Sequence, residues 1–158
     1  MIRVFYRPCG NTYKEQHTAA YELLGAAVSI LKLPSGEIKK TELGKPYFAD
    51  CPNTFFSISH TDGLAAVAIG DSACGVDVER NKVISERIRD RFLNGASKEE
   101  AILRWTQRES YGKLEGSGFF APVTDETVAF KTFFVGDYTV TVCAYEGTEI
   151  SDKLELSE

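Results

Sequence analysis

Leu64-Ala65-Ala66-Val67-Ala68-Ile69-Gly70-Asp71-Ser72-Ala73-Cys74-Gly75-Val76-Asp77-Val78-Glu79 is the stretch on which the reading of this chain turns. Leu64 to Ile69 and Gly75 to Glu79 have the composition of strands, and the turn formers between them predict a hairpin. Residues two apart on a strand share a face. Asp77 and Glu79 therefore point one way while Val76 and Val78 point into a core. Like charges about 7 Å apart or closer repel one another, so a cation is expected between them. A solvated strand face balanced by Arg80 or Lys82 fits the same pattern, and the hairpin alone does not choose between the two.

Working outward, residues 2–6 read as a short strand. Lys14 to about Leu33 reads as a helix, with Tyr21, Leu24, Val28 and Leu31 at helical spacing and Pro34-Ser35-Gly36 ending it. Glu37 to Leu43 reads as an exposed strand, Gly44-Lys45-Pro46 as a turn and Thr54 to His60 as a further strand. Val83 to Leu93 has a helical pattern. Ser97-Lys98-Glu99-Glu100 has the form of a capping box, opening a second helix to about Leu114 that Gly116 and Gly118 stop. Thr127 to Phe134 and Tyr138 to Tyr145 alternate as a closing hairpin. This order of elements is α+β.

Composition sets the outer bounds. A chain of 158 residues is one ordinary domain or two small halves sharing a core. With 43% apolar residues, ten Phe and seven Tyr, it can bury that core. Eighteen basic against 23 acidic residues argue against a general nucleic-acid or anionic-membrane binder. No apolar run approaches the roughly 20 residues that span a bilayer, and the opening Met1-Ile2-Arg3-Val4-Phe5-Tyr6-Arg7 is too short and charged for a signal peptide. Cys9, Cys51, Cys74 and Cys143 form no Cys-x-x-Cys pair, so reduced thiols in the cytoplasm are expected.

Two further groups carry chemistry. In Trp105-Thr106-Gln107-Arg108-Glu109-Ser110-Tyr111-Gly112-Lys113, the inward stripe runs Ile102, Trp105, Glu109, so an acid falls where an apolar residue is expected. Lys113 lies one turn on; an ordinary i,i+4 ion pair is the plain alternative. In Ser57-Ile58-Ser59-His60-Thr61, the histidine ends an apolar strand, where a structural role is common. No Gly-x-Ser-x-Gly elbow surrounds either serine; a hydroxyl and an imidazole at a strand end can instead bind phosphate. Three carboxylates with Lys45, His60, Arg108 and Lys113 have one joint purpose: hard oxygen ligands suit Mg²⁺, and the bases neutralise phosphate charge.

In order along the chain stand Gly44-Lys45-Pro46, Phe56-Ser57-Ile58-Ser59-His60, Gly75-Val76-Asp77-Val78-Glu79 and Trp105-Thr106-Gln107-Arg108-Glu109-Ser110, with Lys113 following. This resembles the 4′-phosphopantetheinyl transferases of the single-chain type that activates peptide synthetases such as the surfactin synthetase. The likeness runs from about Leu23 to Ala144. It implies a single transferase domain over residues 1–158, built as an intramolecular pseudo-dimer of two similar α+β halves, about 1–71 and 72–158.

The resemblance also implies transfer of phosphopantetheine from coenzyme A to a serine of an acyl or peptidyl carrier protein. The reaction requires Mg²⁺ and releases adenosine 3′,5′-bisphosphate. By position, Asp77, Glu79 and Glu109 hold the metal, and Lys113 and Arg108 pair with phosphates. Ser59, His60 and Lys45 meet the nucleotide end of the coenzyme, His60 through its 3′-phosphate. Glu109, with Lys113 beside it, does the catalytic work of accepting the serine proton.

A cytoplasmic monomer without nucleic-acid or membrane partners is expected. Tyr21 and Ile30 stand where the family has arginines, and Arg108 replaces its lysine; Lys14 and His17 are substitutes in the first helix. A reduced member that binds coenzyme A without transfer is the alternative. A metal phosphohydrolase that uses a water nucleophile is a third reading.

Overall fold

The computed structural model describes residues 1–117, 123 and 127–158; Gly118, expected to help stop the second long helix, lies outside them. Along the chain come β1 (Ile2–Pro8), α1 (Tyr13–Leu31), β2 (Ile38–Lys40), β3 (Pro46–Phe48), β4 (Phe55–Thr61), β5 (Leu64–Gly70), β6 (Cys74–Arg80), α2 (Glu86–Phe92), α3 (Lys98–Glu115), β7 (Val128–Val135), β8 (Tyr138–Tyr145) and β9 (Ile150–Leu156). The arrangement is α+β. One sheet runs β4-β5-β1-β9, a second runs β6-β8-β7, and β2 and β3 pair separately.

The two strands of the opening stretch form, but they are not a hairpin. β5 pairs with β4 and β1, whereas β6 pairs with β8. The reason lies in the composition of β5, which is buried along all 7 of its residues. Ala65, Val67 and Ile69 pack beneath α1, while Leu64, Ala66 and Ala68 pack on Cys74, Val76 and Val78 of β6. A strand apolar on both faces needs a layer on each, so the chain crosses at residues 71–73 and stacks β6 over β5. The same packing leaves Asp77 and Glu79 on the opposite face of β6, towards α3.

Local signals place the helices. Thr12 Oγ1 caps α1 by accepting from Glu15 N–H at 3.2 Å. Ser97 Oγ caps α3 by accepting from Glu100 N–H at 3.3 Å, and Gly116 ends that helix at φ 72°, as its sequence predicts. The closing hairpin forms, with Val135 paired to Tyr138 across the tight loop at Gly136-Asp137. β3 and β9 are additions to the sequence reading. β9 is an acidic strand with Ile150 and Leu154 turned to the core, and it pairs in parallel with β1. None of the four cysteines is in a disulfide, and no described helix is long and apolar enough to cross a membrane.

Where the two sheets meet, β4 and β6 lie side by side without a backbone ladder. Serine hydroxyls stitch them. Ser57 Oγ accepts from Val76 N–H at 3.0 Å and Ser59 Oγ accepts from Val78 N–H at 3.1 Å. Two buried amides that would otherwise be left without acceptors are satisfied in this way.

Candidate metal and phosphate site

A close approach of helix to strand builds the site. A Cβ on Gly75 would stand 2.0 Å from the Ser110 carbonyl oxygen and 2.5 Å from Leu114 N. Both obstacles are backbone, so only glycine lets α3 lie this near β6. The face of α3 that meets the sheet is Thr106, Ser110 and Leu114, and Thr106 Oγ1 is hydrogen-bonded to Thr141 Oγ1 of β8 at 2.7 Å. The buried stripe is thus one position on from the Ile102-Trp105-Glu109 line expected of it. Small polar side chains pair across this contact, which displaces Trp105 and Glu109 to the flank, where they are half-buried. That flank carries Glu109 to the cleft.

The acid-bearing face of β6 opens on a cleft of about 460 Å³. Asp77, Glu79, Glu109, Lys113, Ser59 and His60 all contribute to its walls. Asp77 is only 4% exposed. Its Oδ1 accepts from Ser59 Oγ at 3.3 Å and lies 3.7 Å from Lys113 Nζ. Its Oδ2 is buried with no hydrogen-bond partner among the described residues. Burial pushes the Asp77 carboxyl well above the ordinary carboxylate range, Lys113 opposes this, and the charges of Glu79 and Glu109 add to it. Glu109 is pushed up by burial too, opposed by Lys113 and reinforced by Glu79.

Glu79 has partners on both oxygens. Trp105 Nε1–H donates to Oε1 at 3.2 Å, and Lys82 Nζ lies 3.7 Å from Oε2. Among the described residues no three His, Cys, Asp or Glu side chains stand together tightly enough to hold an ion as they are. The donors nevertheless fit a hard divalent cation. They are all carboxylate oxygens, one of them is buried without a hydrogen-bond partner among the described residues, and the charges of Glu79 and Glu109 add to the burial that raises Asp77. Asp77, Glu79 and Glu109 are the residues that could hold it.

The basic residues divide. Lys113 Nζ also donates to Ile58 O at 3.2 Å, which hangs it on β4 beside Asp77. Lys45 lines the cleft, yet its ammonium donates to Cys74 O at 3.1 Å, Lys113 O at 2.5 Å and Leu114 O at 3.4 Å. It thereby caps the carbonyl end of α3 and ties that end to β6. Burial lowers its pKa. Arg108 is not among the cleft residues. Its Nη1 donates to Phe92 O at 3.0 Å and its guanidinium lies 5.4 Å from the Phe92 ring centre, though its charge still draws the Glu109 carboxyl downward.

His60 Nδ1–H donates to Gln16 Oε1 at 3.0 Å, which turns Nε2 to the other side of the ring. Burial, Lys113 and His17 lower its pKa, so the free ring is neutral near pH 7. Tyr13 meets His60 edge-on at 5.3 Å, and His17 stacks on Tyr13 and meets Tyr21 at a tilt along α1. Tyr13 and Gln16 escaped the sequence reading. The i,i+4 succession Tyr13, His17, Tyr21 was the signal for a ring-bearing stripe on the cleft side of α1.

No family model matches the chain. Similarity to curated proteins is specific, however. The chain is 29% identical over 99 residues to 4′-phosphopantetheinyl transferase Sfp of Bacillus subtilis (strain 168), covering 55% of this chain and 44% of that one. It is 31% identical over 110 residues to 4′-phosphopantetheinyl transferase gsp of Aneurinibacillus migulanus, covering 61% and 46%. It is 30% identical over 87 residues to 4′-phosphopantetheinyl transferase psf-1 of Bacillus pumilus, covering 48% and 37%. The chain spans less than half the length of these relatives. Similarity to several of these enzymes over about half the chain, with a cleft that joins the motif-bearing strands and helix, supports the 4′-phosphopantetheinyl transferase superfamily for this chain.

Proposed function

We propose that this chain transfers the 4′-phosphopantetheine group of coenzyme A to a serine of an acyl or peptidyl carrier protein, with Mg²⁺, releasing adenosine 3′,5′-bisphosphate. The observation that carries this reading is Asp77, a buried carboxylate with one oxygen unpartnered among the described residues, sharing a cleft with Glu79 and Glu109. These three would hold Mg²⁺. Bound there, the ion supplies neutralising charge for a pyrophosphate.

The chain's own residues account for the rest. Ser59 orients Asp77 and lines the cleft where the nucleotide end would lie. Lys113, held by Ile58 O beside Asp77, offers its ammonium to phosphate oxygens. His60, with Nδ1–H on Gln16, presents Nε2 to a phosphate, and protonation there makes it a charged donor. Lys45 supports the nucleotide end indirectly, by fixing the end of α3.

Glu109 accepts the proton of the carrier serine. A carboxylate of raised pKa is a better base near neutral pH than an ordinary one. The serine oxygen then bonds to the β-phosphorus as the bridge to adenosine bisphosphate breaks. Arg108 acts from behind, favouring the ionised form of Glu109. We further propose that residues 1–71 and 72–158 are similar halves about the cleft, each a sheet carrying a long helix, with β9 returning to the first sheet. A cytoplasmic monomer is the state this arrangement suits.

The test is to incubate the chain with coenzyme A, Mg²⁺ and a panel of apo carrier proteins, and to weigh the carriers intact. A carrier heavier by one phosphopantetheine group is expected. No gain on any carrier, with a competent enzyme alongside, overturns the transfer. A second reading is coenzyme A binding without transfer, which the same cleft of acids, Lys113 and His60 would also allow. It predicts thermal stabilisation by coenzyme A that depends on Mg²⁺, with no carrier modified.

A further inference from the structure

Trp105 is the chain's single tryptophan. It sits on α3 one turn before Glu109, half-buried on the flank that borders the cleft, and it packs against the cluster of Ile84, Leu93, Ala96 and Ala101. Its Nε1–H donates to Glu79 Oε1 at 3.2 Å. An indole N–H is a donor and nothing else, so it serves only an acceptor and favours the ionised carboxylate.

Glu79 has a competing attraction. Lys82 lies 3.7 Å from Oε2 on the exposed side, and it is 58% exposed itself. A mobile surface lysine does not fix a carboxylate, whereas an indole wedged into a cluster does. The parallel on the neighbouring acid is close. Asp77 is held from β4 by Ser59, and Glu79 is held from α3 by Trp105.

We propose that Trp105 is a positioning residue that presents Glu79 to the divalent cation. This rests on the metal reading above. The indole fixes Oε1, while Oε2 has only an exposed lysine 3.7 Å away, so the carboxylate would be held ready for an ion. Partners of this kind, which orient a ligand without touching the ion, typically change metal affinity 10- to 100-fold when removed. Because α3 bears both Trp105 and Glu109, one helix sets the position of two of the three acids.

The experiment uses Mn²⁺ as the probe, with the full chain and coenzyme A present, and reads bound ion by electron paramagnetic resonance. Trp105→Phe keeps an aromatic ring and removes the N–H. A 10- to 100-fold weaker Mn²⁺ affinity is expected, with the melting temperature in metal-free buffer little changed. Equal affinity in the two proteins overturns the positioning role and leaves the metal reading standing. If the native chain binds no Mn²⁺, the metal reading itself falls, and this inference with it.

Should Trp105→Phe fail to fold, the native protein still decides. Its one indole should change emission as Mn²⁺ binds, and Glu79→Gln should abolish that change. Binding without any change in emission overturns the inference.

Discussion

Gly75 lies directly against the carbonyl of Ser110, with no room for a single carbon between them. The contact fixes how close α3 comes to β6, and so how close Glu109 comes to the strand acids. Gly75→Ala must push the helix away, because backbone blocks both directions. Overpacking of this kind costs about 2–3 kcal/mol, which corresponds to a fall of roughly 5–10 °C in melting temperature for a chain of this size. Urea denaturation would measure it. Mn²⁺ affinity should fall as well, even at temperatures where the variant is fully folded.

Asp77→Asn should behave oppositely. The native carboxylate is buried beside two like charges that Lys113, 33% exposed, only partly offsets, and one of its oxygens lacks a partner among the described residues. Removing the charge in metal-free buffer should raise stability by about 1 kcal/mol, as relaxing a functional site often does. Stabilisation by Mg²⁺ with coenzyme A should vanish. Paired thermal melts, with and without the ligands, read both effects. A variant less stable than the native chain in metal-free buffer would show that Asp77 is structural.

His60 gives a pH dependence. Its folded pKa lies below the ordinary histidine value, through burial and the neighbouring Lys113 and His17. Between the two pKa values the unfolded chain binds more protons than the folded one, so this group's contribution to stability rises with pH through that window, up to about 6.5. The difference in stability between the native chain and His60→Gln should therefore grow from pH 5 to pH 7. A phosphate at Nε2 pulls the pKa back up. Coenzyme A binding near pH 6.5 should then take up a fraction of a proton, seen by calorimetry in buffers of different ionisation enthalpy.

Lys45→Met keeps the aliphatic length and removes three donated hydrogen bonds. The carbonyls left behind at the end of α3 are partly buried, so a loss of about 1–3 kcal/mol is expected. Amide exchange should quicken over the last turn of α3 and at β6. If Lys45 were only a phosphate contact, stability would hold and coenzyme A affinity alone would drop.

The contrast between these residues marks what sequence could convey. The Ser97 cap and the Gly116 stop are local devices, each complete within four residues, and both were readable in advance. The alternation of Val76, Asp77, Val78 and Glu79 gave the facing of β6 for the same reason. Whether β6 paired with β5 or stacked over it was not local. That choice depended on β5 being apolar on both faces, a fact that short strands share with hairpins. The cleft behaved likewise: side-chain types at Asp77, Glu79, Glu109, Lys113 and His60 announced a shared task, and the structure brings them to one cleft. Lys45 and Arg108 read as phosphate-pairing charges, whereas both make hydrogen bonds to carbonyls from distant parts of the chain. A charge is visible in a sequence; the carbonyl it reaches is not.

The parallel pairing of β1 with β9 has a consequence for the order of assembly. The first strand finds one of its two neighbours only among the last residues, with Tyr6 opposite Leu156 and Arg3 hydrogen-bonded to Glu155 across a separation of 152 positions. Such distant closure is slow, because the entropy of the intervening loop is lost before any contact is gained. While the rest of the chain is still emerging or searching, β1 offers an open edge that another chain can join. Arrival of β9 replaces that edge with a charged strand, a poorer template for another copy, and yield on refolding should depend on protein concentration until that strand is in place.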